Sequence, residues 1–310
     1  MIRFDRVSKR YGAHQALTDV SFTVPRGQVV GLLGQNGAGK STAMNILTGC
    51  LAPTAGKVTV DGFDVLISPR PAKRRLGYLP ENAPLYDEMT VEKYLRFACQ
   101  LKEVEKKAMA GHVGQVMEKT GLSGVSGRKI GNLSRGYRQR VGVAQALCGT
   151  PDALILDEPT AGLDPLQTSE MRALIRDLKG EHTILFSTHI LSEAQQLCDR
   201  VIILHRGRVI RDQDMQALRG EDRRLRAVIA CGEGALLPVL RKVQSIKDIQ
   251  VERGGEAGTT KVLLTPGEGE EIERALFFAL AQAGYPILRL EKVESSLEEI
   301  FLRATVDAET

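Results

Sequence analysis

Uninterrupted apolar runs of strand length recur along this 310-residue chain: Val29-Val30-Gly31-Leu32-Leu33, Leu154-Ile155-Leu156 and Leu185-Phe186. Such runs predict buried strands, because a half-exposed strand would alternate with polar residues. Ala43-Met44-Asn45-Ile46-Leu47 follows the first run and reads as a helix. Residues 1 to 33 predict short strands about turns such as Pro25-Arg26-Gly27, an antiparallel subdomain. From about 88 to 148 the pattern turns helical, with Val91, Tyr94, Leu95 and Ala98 on one face and a charged stretch from Lys102 to Lys107. Past residue 217 it changes again. Strand Leu225–Ala230, helix Ala235–Val243, strands Asp248–Val251 and Lys261–Leu264 about the turn at Gly254-Gly255, helix Glu271–Ala283 and strand Pro286–Leu290 follow in order. That order is β-α-β-β-α-β, a ferredoxin-like pattern, with a final helix over Ser296–Leu302. The expected organisation is an α/β domain over 1–217 and an α+β domain over 218–310.

Each apolar run of the first domain leads into polar residues suited to a polyphosphate. After Leu33 comes Gly34-Gln35-Asn36-Gly37-Ala38-Gly39-Lys40-Ser41-Thr42, which matches the phosphate-binding loop between strand and helix. Its glycines let backbone N–H groups turn inward, and the following helix adds partial positive charge. Lys40 is placed to reach β- and γ-phosphates, and the Ser41 hydroxyl to ligate magnesium. The second run ends in Asp157-Glu158-Pro159. Asp157 is suited to hold magnesium through water and Glu158 to polarise an attacking water. The plainer alternative is that both acids cap the next helix. The third run ends in Ser187-Thr188-His189. There the imidazole could hydrogen-bond a γ-phosphate or be a core histidine.

With these residues in hand, the first 215 positions resemble the ATP-binding subunit of an ABC transporter. Leu133-Ser134-Arg135-Gly136-Tyr137-Arg138-Gln139-Arg140 is similar to the family's signature segment, and Ala161-Gly162-Leu163-Asp164 to the loop that senses a partner ATPase. The resemblance implies an ABC ATPase core, ATP and magnesium as ligands, and Lys40, Glu158 and His189 as catalytic residues. It implies Tyr11 stacked on adenine, and a head-to-tail dimer in which Ser134 and Gly136 contact the other subunit's γ-phosphate. It also implies that the helical segment meets a transmembrane permease. Two departures stand out. Arg135 and Tyr137 replace a Gly and the Gln of the usual LSGGQ. The loop Gly77-Tyr78-Leu79-Pro80-Glu81 carries a carboxylate where a magnesium-contacting Gln is usual. Together with Asn82-Ala83-Pro84-Leu85-Tyr86 they resemble the ABC-2 exporter branch of gliding-motility, sodium-extrusion and copper-related ATPases.

Composition narrows the picture. No apolar run approaches the 18 residues of a membrane span, so the permease is expected to be a separate chain. The N-terminus enters strand-like sequence directly, and secretion is not expected. Cys50, Cys99, Cys148, Cys198 and Cys231 form no C-x-x-C pair and predict reduced, buried thiols. A net charge of +4 suits the anionic inner face of a membrane and is too small to argue for nucleic acid. The expectation is an ATPase peripheral to the cytoplasmic face of the membrane, working as a homodimer or with a paired ATPase. The other classes are an ABC protein acting on DNA or the ribosome, and a non-hydrolysing module. One phosphate loop and no sustained heptads weigh against the former, and an intact Lys40, Asp157 and Glu158 against the latter.

Overall fold

The structure, a computed structural model, describes residues 1–217, 223–252, 258–267, 272–294 and 297–307. Residue 218, Gly254-Gly255, Glu271 and Ser296 lie outside the described residues. The chain forms two compact units, Met1–Met215 with Arg303–Thr310, and Gln216–Leu302.

The first unit holds two sheets. Strands β1 (Ile2–Tyr11), β2 (His14–Val24), β4 (Ala55–Val60) and β5 (Phe63–Asp64) form an antiparallel sheet in the order β2-β1-β4-β5. Val20, Phe22 and Val24 alternate with less buried positions along β2, the signature of a strand with one face on the core. Phe22 stacks on Phe4 with ring centroids 4.3 Å apart.

The second sheet places the chemistry. Strands β3 (Val29–Leu33), β6 (Leu76–Leu79), β7 (Ala153–Asp157), β8 (Thr183–Thr188), β9 (Arg200–His205) and β10 (Arg208–Asp214) run in the order β10-β9-β3-β8-β7-β6. All neighbours are parallel except β10, which pairs antiparallel with β9. Every residue of β3, β7 and β8 is buried, as their unbroken apolar runs predict. The helices are α1 (Lys40–Leu47), α2 (Pro69–Arg74), α3 (Val91–Leu101), α4 (Met109–Lys119), α5 (Arg135–Leu147), α6 (Pro165–Asp177) and α7 (Leu191–Leu197). On α3 the hydroxyl of Thr90 caps the first turn by accepting from the Lys93 N–H, and Val91, Tyr94, Leu95 and Ala98 form the buried face. The charged stretch after Leu101 is turn rather than helix.

In the second unit β11 (Arg223–Ile229), α8 (Glu233–Leu240), β12 (Ile246–Glu252), β13 (Thr260–Pro266), α9 (Glu273–Ala283) and β14 (Ile287–Glu294) follow in sequence, and α10 (Leu297–Asp307) starts in this unit and ends in the segment grouped with the first. The antiparallel sheet is ordered β12-β13-β11-β14, with the first strand inserted between the third and fourth. Leu225, Ala227 and Ile229 of β11, Leu236 and Leu240 of α8, and Leu276 and Leu280 of α9 share a core. Outside the core face of α9, Phe277 and Phe278 are exposed and meet edge to face. One expectation changes. Cys50 is exposed, while the other four thiols are buried.

Candidate nucleotide site

In β6, β7, β8 and β3 the carboxyl ends lie side by side, the edge at which open parallel sheets bind ligands. Register aligns them: Leu79 pairs with Leu156, Asp157 with Ser187, and Leu33 with Thr188. The residues just beyond these ends are Glu81, Glu158, His189 and the 34–42 loop, and all four approach one cavity of about 380 Å3.

The loop has little freedom to change. Gly39 has φ +108°, and a Cβ there would lie 2.8 Å from the Ala16 carbonyl oxygen, so both backbone and space demand glycine. At Lys40, which opens α1, Nζ donates to the carbonyl oxygens of Gly34 (2.7 Å) and Gln35 (3.3 Å). The same ammonium lies 3.6 Å from Glu158 Oε1. Gln35, Asn36, Gly37, Gly39, Ser41 and Thr42 line the cavity with Lys40. Tyr11, His14 and Ala16 line it from β1 and β2. Lys9 stands over the Tyr11 ring, 5.2 Å from its centroid.

Glu158 adopts φ +48°, a left-handed conformation uncommon for a residue with a side chain. Its N–H donates to Ser187 Oγ at 3.0 Å, and its Oε2 lies 2.9 Å from His189 Nδ1. The Ser187 hydroxyl in turn donates to the Asp157 carboxylate. One serine on β8 thus fixes both acids at the end of β7. Burial pushes the Asp157 pKa up, with the neighbouring charges of Glu158 and Glu81 adding to it and the Ser187 bond and Lys40 opposing it. Neither Asp157 nor Glu158 caps a helix: the next one, α6, is capped by Asp164, which accepts from the Gln167 N–H.

Ser134 and Gly136 do not line this cavity. Ser134 is the exposed N-cap of α5, and Gly136 is buried against the Gln167 side chain. Arg135 donates from its guanidinium to the Ala161 carbonyl oxygen at 2.9 Å, so the signature segment touches the 161–164 loop of its own chain.

A family model described as ABC transporter matches residues 17–161. An uncharacterized ABC transporter ATP-binding protein of Bacillus subtilis, YxlF, is 33% identical over 303 residues, covering 98% of this chain and 99% of the relative. This chain belongs to the ABC transporter ATP-binding proteins. As an ABC ATPase it hydrolyses ATP and powers a separate permease. The bacitracin transport ATP-binding protein BcrA of Bacillus licheniformis is 31% identical over 98% of this chain and 96% of its own length. NatA of Bacillus subtilis is 39% identical over 67% of this chain and 86% of its own. These relatives fit the exporter branch suggested by Glu81, Arg135 and Tyr137. Among solved structures, the ATP-binding subunit of an ABC transporter superposes with a TM-score of 0.65 at 32% identity, covering 71% of this chain and 92% of that one. A dimeric bacterial ABC transporter cassette gives 0.63 at 25% identity, covering 69% and 99%. None of these relatives is described as acting on DNA or the ribosome. Among the described residues of this ABC ATPase no helix is long and apolar enough to cross a membrane.

Sequence reasoning missed His14 and Ser187. His14 pairs with Tyr11 across a tight turn, so the short spacing was a usable signal. Ser187 had none, because its role follows from the register between β7 and β8.

Proposed function

We propose that ATP lies in the 380 Å3 cavity with its phosphates on residues 34–42 and its base beside Tyr11. The observation that carries this reading is the convergence of Lys40 and His189 on the two carboxylate oxygens of Glu158. In it, Lys40 and the loop N–H groups hold the phosphates and Glu158 orients the attacking water. His189, engaged with Glu158 through Nδ1, offers its other ring nitrogen to a γ-phosphate oxygen.

Ser41, Asp157 and Glu81 suit magnesium. Hydroxyl and carboxylate oxygens are its preferred donors, and the charge crowding that raises the Asp157 pKa is relieved by a divalent cation. Phosphate oxygens of the nucleotide would complete its ligand set. Bound there, the ion would neutralise charge on the phosphates.

Two such subunits, identical or paired, close head to tail, with Ser134 and Gly136 of one facing the nucleotide of the other. The exposed, capped start of α5 and its place outside its own cavity support this. The permease docks in a groove of about 790 Å3 lined by the aromatic residues Tyr78, Tyr86, Tyr94 and Phe97 and by basic residues that include Arg70 and Lys73. It thereby holds the ATPase on the inner face of the membrane. The unit over Gln216–Leu302 supports regulation or dimer contacts rather than chemistry.

The deciding experiment is Glu158→Gln. The variant should bind a fluorescent ATP analogue as wild type does, lose nearly all turnover, and elute as a dimer with ATP and magnesium on gel filtration. Turnover at the wild-type rate would overturn the assignment.

A further inference from the structure

Four residues after His189, on the first turn of α7, Glu193 is only 2% exposed. Its Oε2 accepts from the Thr160 hydroxyl at 2.9 Å and the Thr188 hydroxyl at 3.1 Å. Among the described residues its Oε1 has no hydrogen-bond partner and no cation stands within ion-pair distance. Burying a carboxylate with one oxygen unmatched costs several kcal/mol unless something is gained by it. Packing gives no account of a charge here, since an apolar side chain would fill the site at less expense.

What Glu193 holds is informative. Thr160 follows Glu158 by two residues and precedes Ala161, which lines the nucleotide cavity. Thr188 immediately precedes His189, and its Oγ1 also accepts from the Ile190 N–H at 3.0 Å. Both threonines are buried, and each leads from a strand end into a residue of the site. A carboxylate has acceptor capacity only, so one oxygen can hold two hydroxyl donors at once. Glu193 is therefore a clamp between the chain carrying Glu158 and the chain carrying His189. Ser187 also ties these strand ends together, through the Glu158 N–H and the Asp157 carboxylate. Glu193 closes the arrangement from α7.

We infer that Glu193 is a positioning residue for ATP hydrolysis, setting the Glu158–His189 pair through Thr160 and Thr188. This rests on the roles proposed above for Glu158 and His189. Because the Thr160 carbonyl oxygen also accepts from the Leu163 N–H at 3.2 Å, displacement of the 161–164 loop by a second subunit would reach His189 through the same clamp.

The test is steady-state hydrolysis by the full chain with magnesium and varied ATP, alongside titration of a fluorescent ATP analogue and thermal melts. Glu193→Ala should lower kcat by about tenfold or more while KM and analogue affinity stay within about twofold, the pattern of a lost transition-state arrangement. Glu193→Gln keeps an oxygen for both hydroxyls and should recover kcat to within about threefold of wild type. Thr160→Val and Thr188→Val should each lower kcat in the wild-type background, yet add little on top of Glu193→Ala, because they break the same link. A folded Glu193→Ala protein with wild-type kcat would overturn the inference. So would kcat and KM worsening together with the melting temperature and no rescue by Gln. If Glu193→Ala does not fold, the two threonine variants decide, and unchanged kcat in both overturns it. Failure of this inference is distinct from failure of the catalytic reading, which Glu158→Gln tests separately.

Discussion

Glu158 holds a backbone conformation that costs a residue with a side chain about 1–3 kcal/mol, so the neighbouring structure must enforce it. The Ser187 bond to its N–H and the contacts with Lys40 and His189 do so, leaving the carboxylate pre-set rather than searching among rotamers. Glu81 stands where the resemblance to the family leads one to expect a glutamine. It lines the same cavity and its charge reaches Asp157, which makes it a third acid beside the magnesium position proposed above. Glu81→Gln should keep hydrolysis within about tenfold of wild type, equivalent to ~1.4 kcal/mol in the barrier, since the amide oxygen still ligates. Its magnesium dependence should weaken modestly, and Glu81→Ala should do more harm, chiefly to stimulation by the permease. Magnesium titrations that superimpose for all three proteins would remove Glu81 from the metal site.

At the scale of elements, the helical lobe is pinned by polar ties as well as its apolar faces. Tyr94 on α3 donates to Gln145 on α5. His112 on α4 accepts at Nε2 from the Gly149 N–H, 3.0 Å away, just beyond the end of α5. Burial lowers the His112 pKa, because an imidazolium would lose water and could no longer accept that bond. The sign of the linkage follows. The folded lobe binds this proton less readily than the unfolded chain, so the tie is intact above the ordinary imidazole value of about 6.5. Stability is then lost as pH falls from there through the lowered pKa. Urea midpoints should fall between pH 7.5 and pH 5, and His112→Gln, which keeps an acceptor without titrating, should flatten the part of that fall that belongs to this lobe. An identical pH profile in the variant would show that the tie does not contribute.

For the whole molecule, every residue lining the nucleotide cavity lies between Tyr11 and His189. The unit over Gln216–Leu302 has its own core of Leu225, Leu236, Leu264, Leu276 and companions. A chain ending at residue 217 should therefore bind the fluorescent ATP analogue with wild-type affinity. Its melting temperature should drop somewhat, since Arg303–Thr310 clusters with the first unit and would be lost as well. An insoluble or nucleotide-blind truncation would show that binding depends on the second part.

The sequence by itself determined whatever depends on local chemistry or on the period of apolar residues. Short apolar runs bounded by turn residues read as strands of a covered parallel sheet, and Gly34 to Thr42 between strand and helix matches the phosphate-loop spacing. The helical face of Val91, Tyr94, Leu95 and Ala98 and the β-α-β-β-α-β order were equally local. Tertiary structure decided what depends on register and on contacts between distant segments. That Ser187 ties Asp157 to Glu158, and that Glu193 joins Thr160 to Thr188, follows from the side-by-side ends of β7 and β8. No spacing along the chain encodes that alignment, because it is fixed by how two buried strands thirty residues apart share their ladder hydrogen bonds.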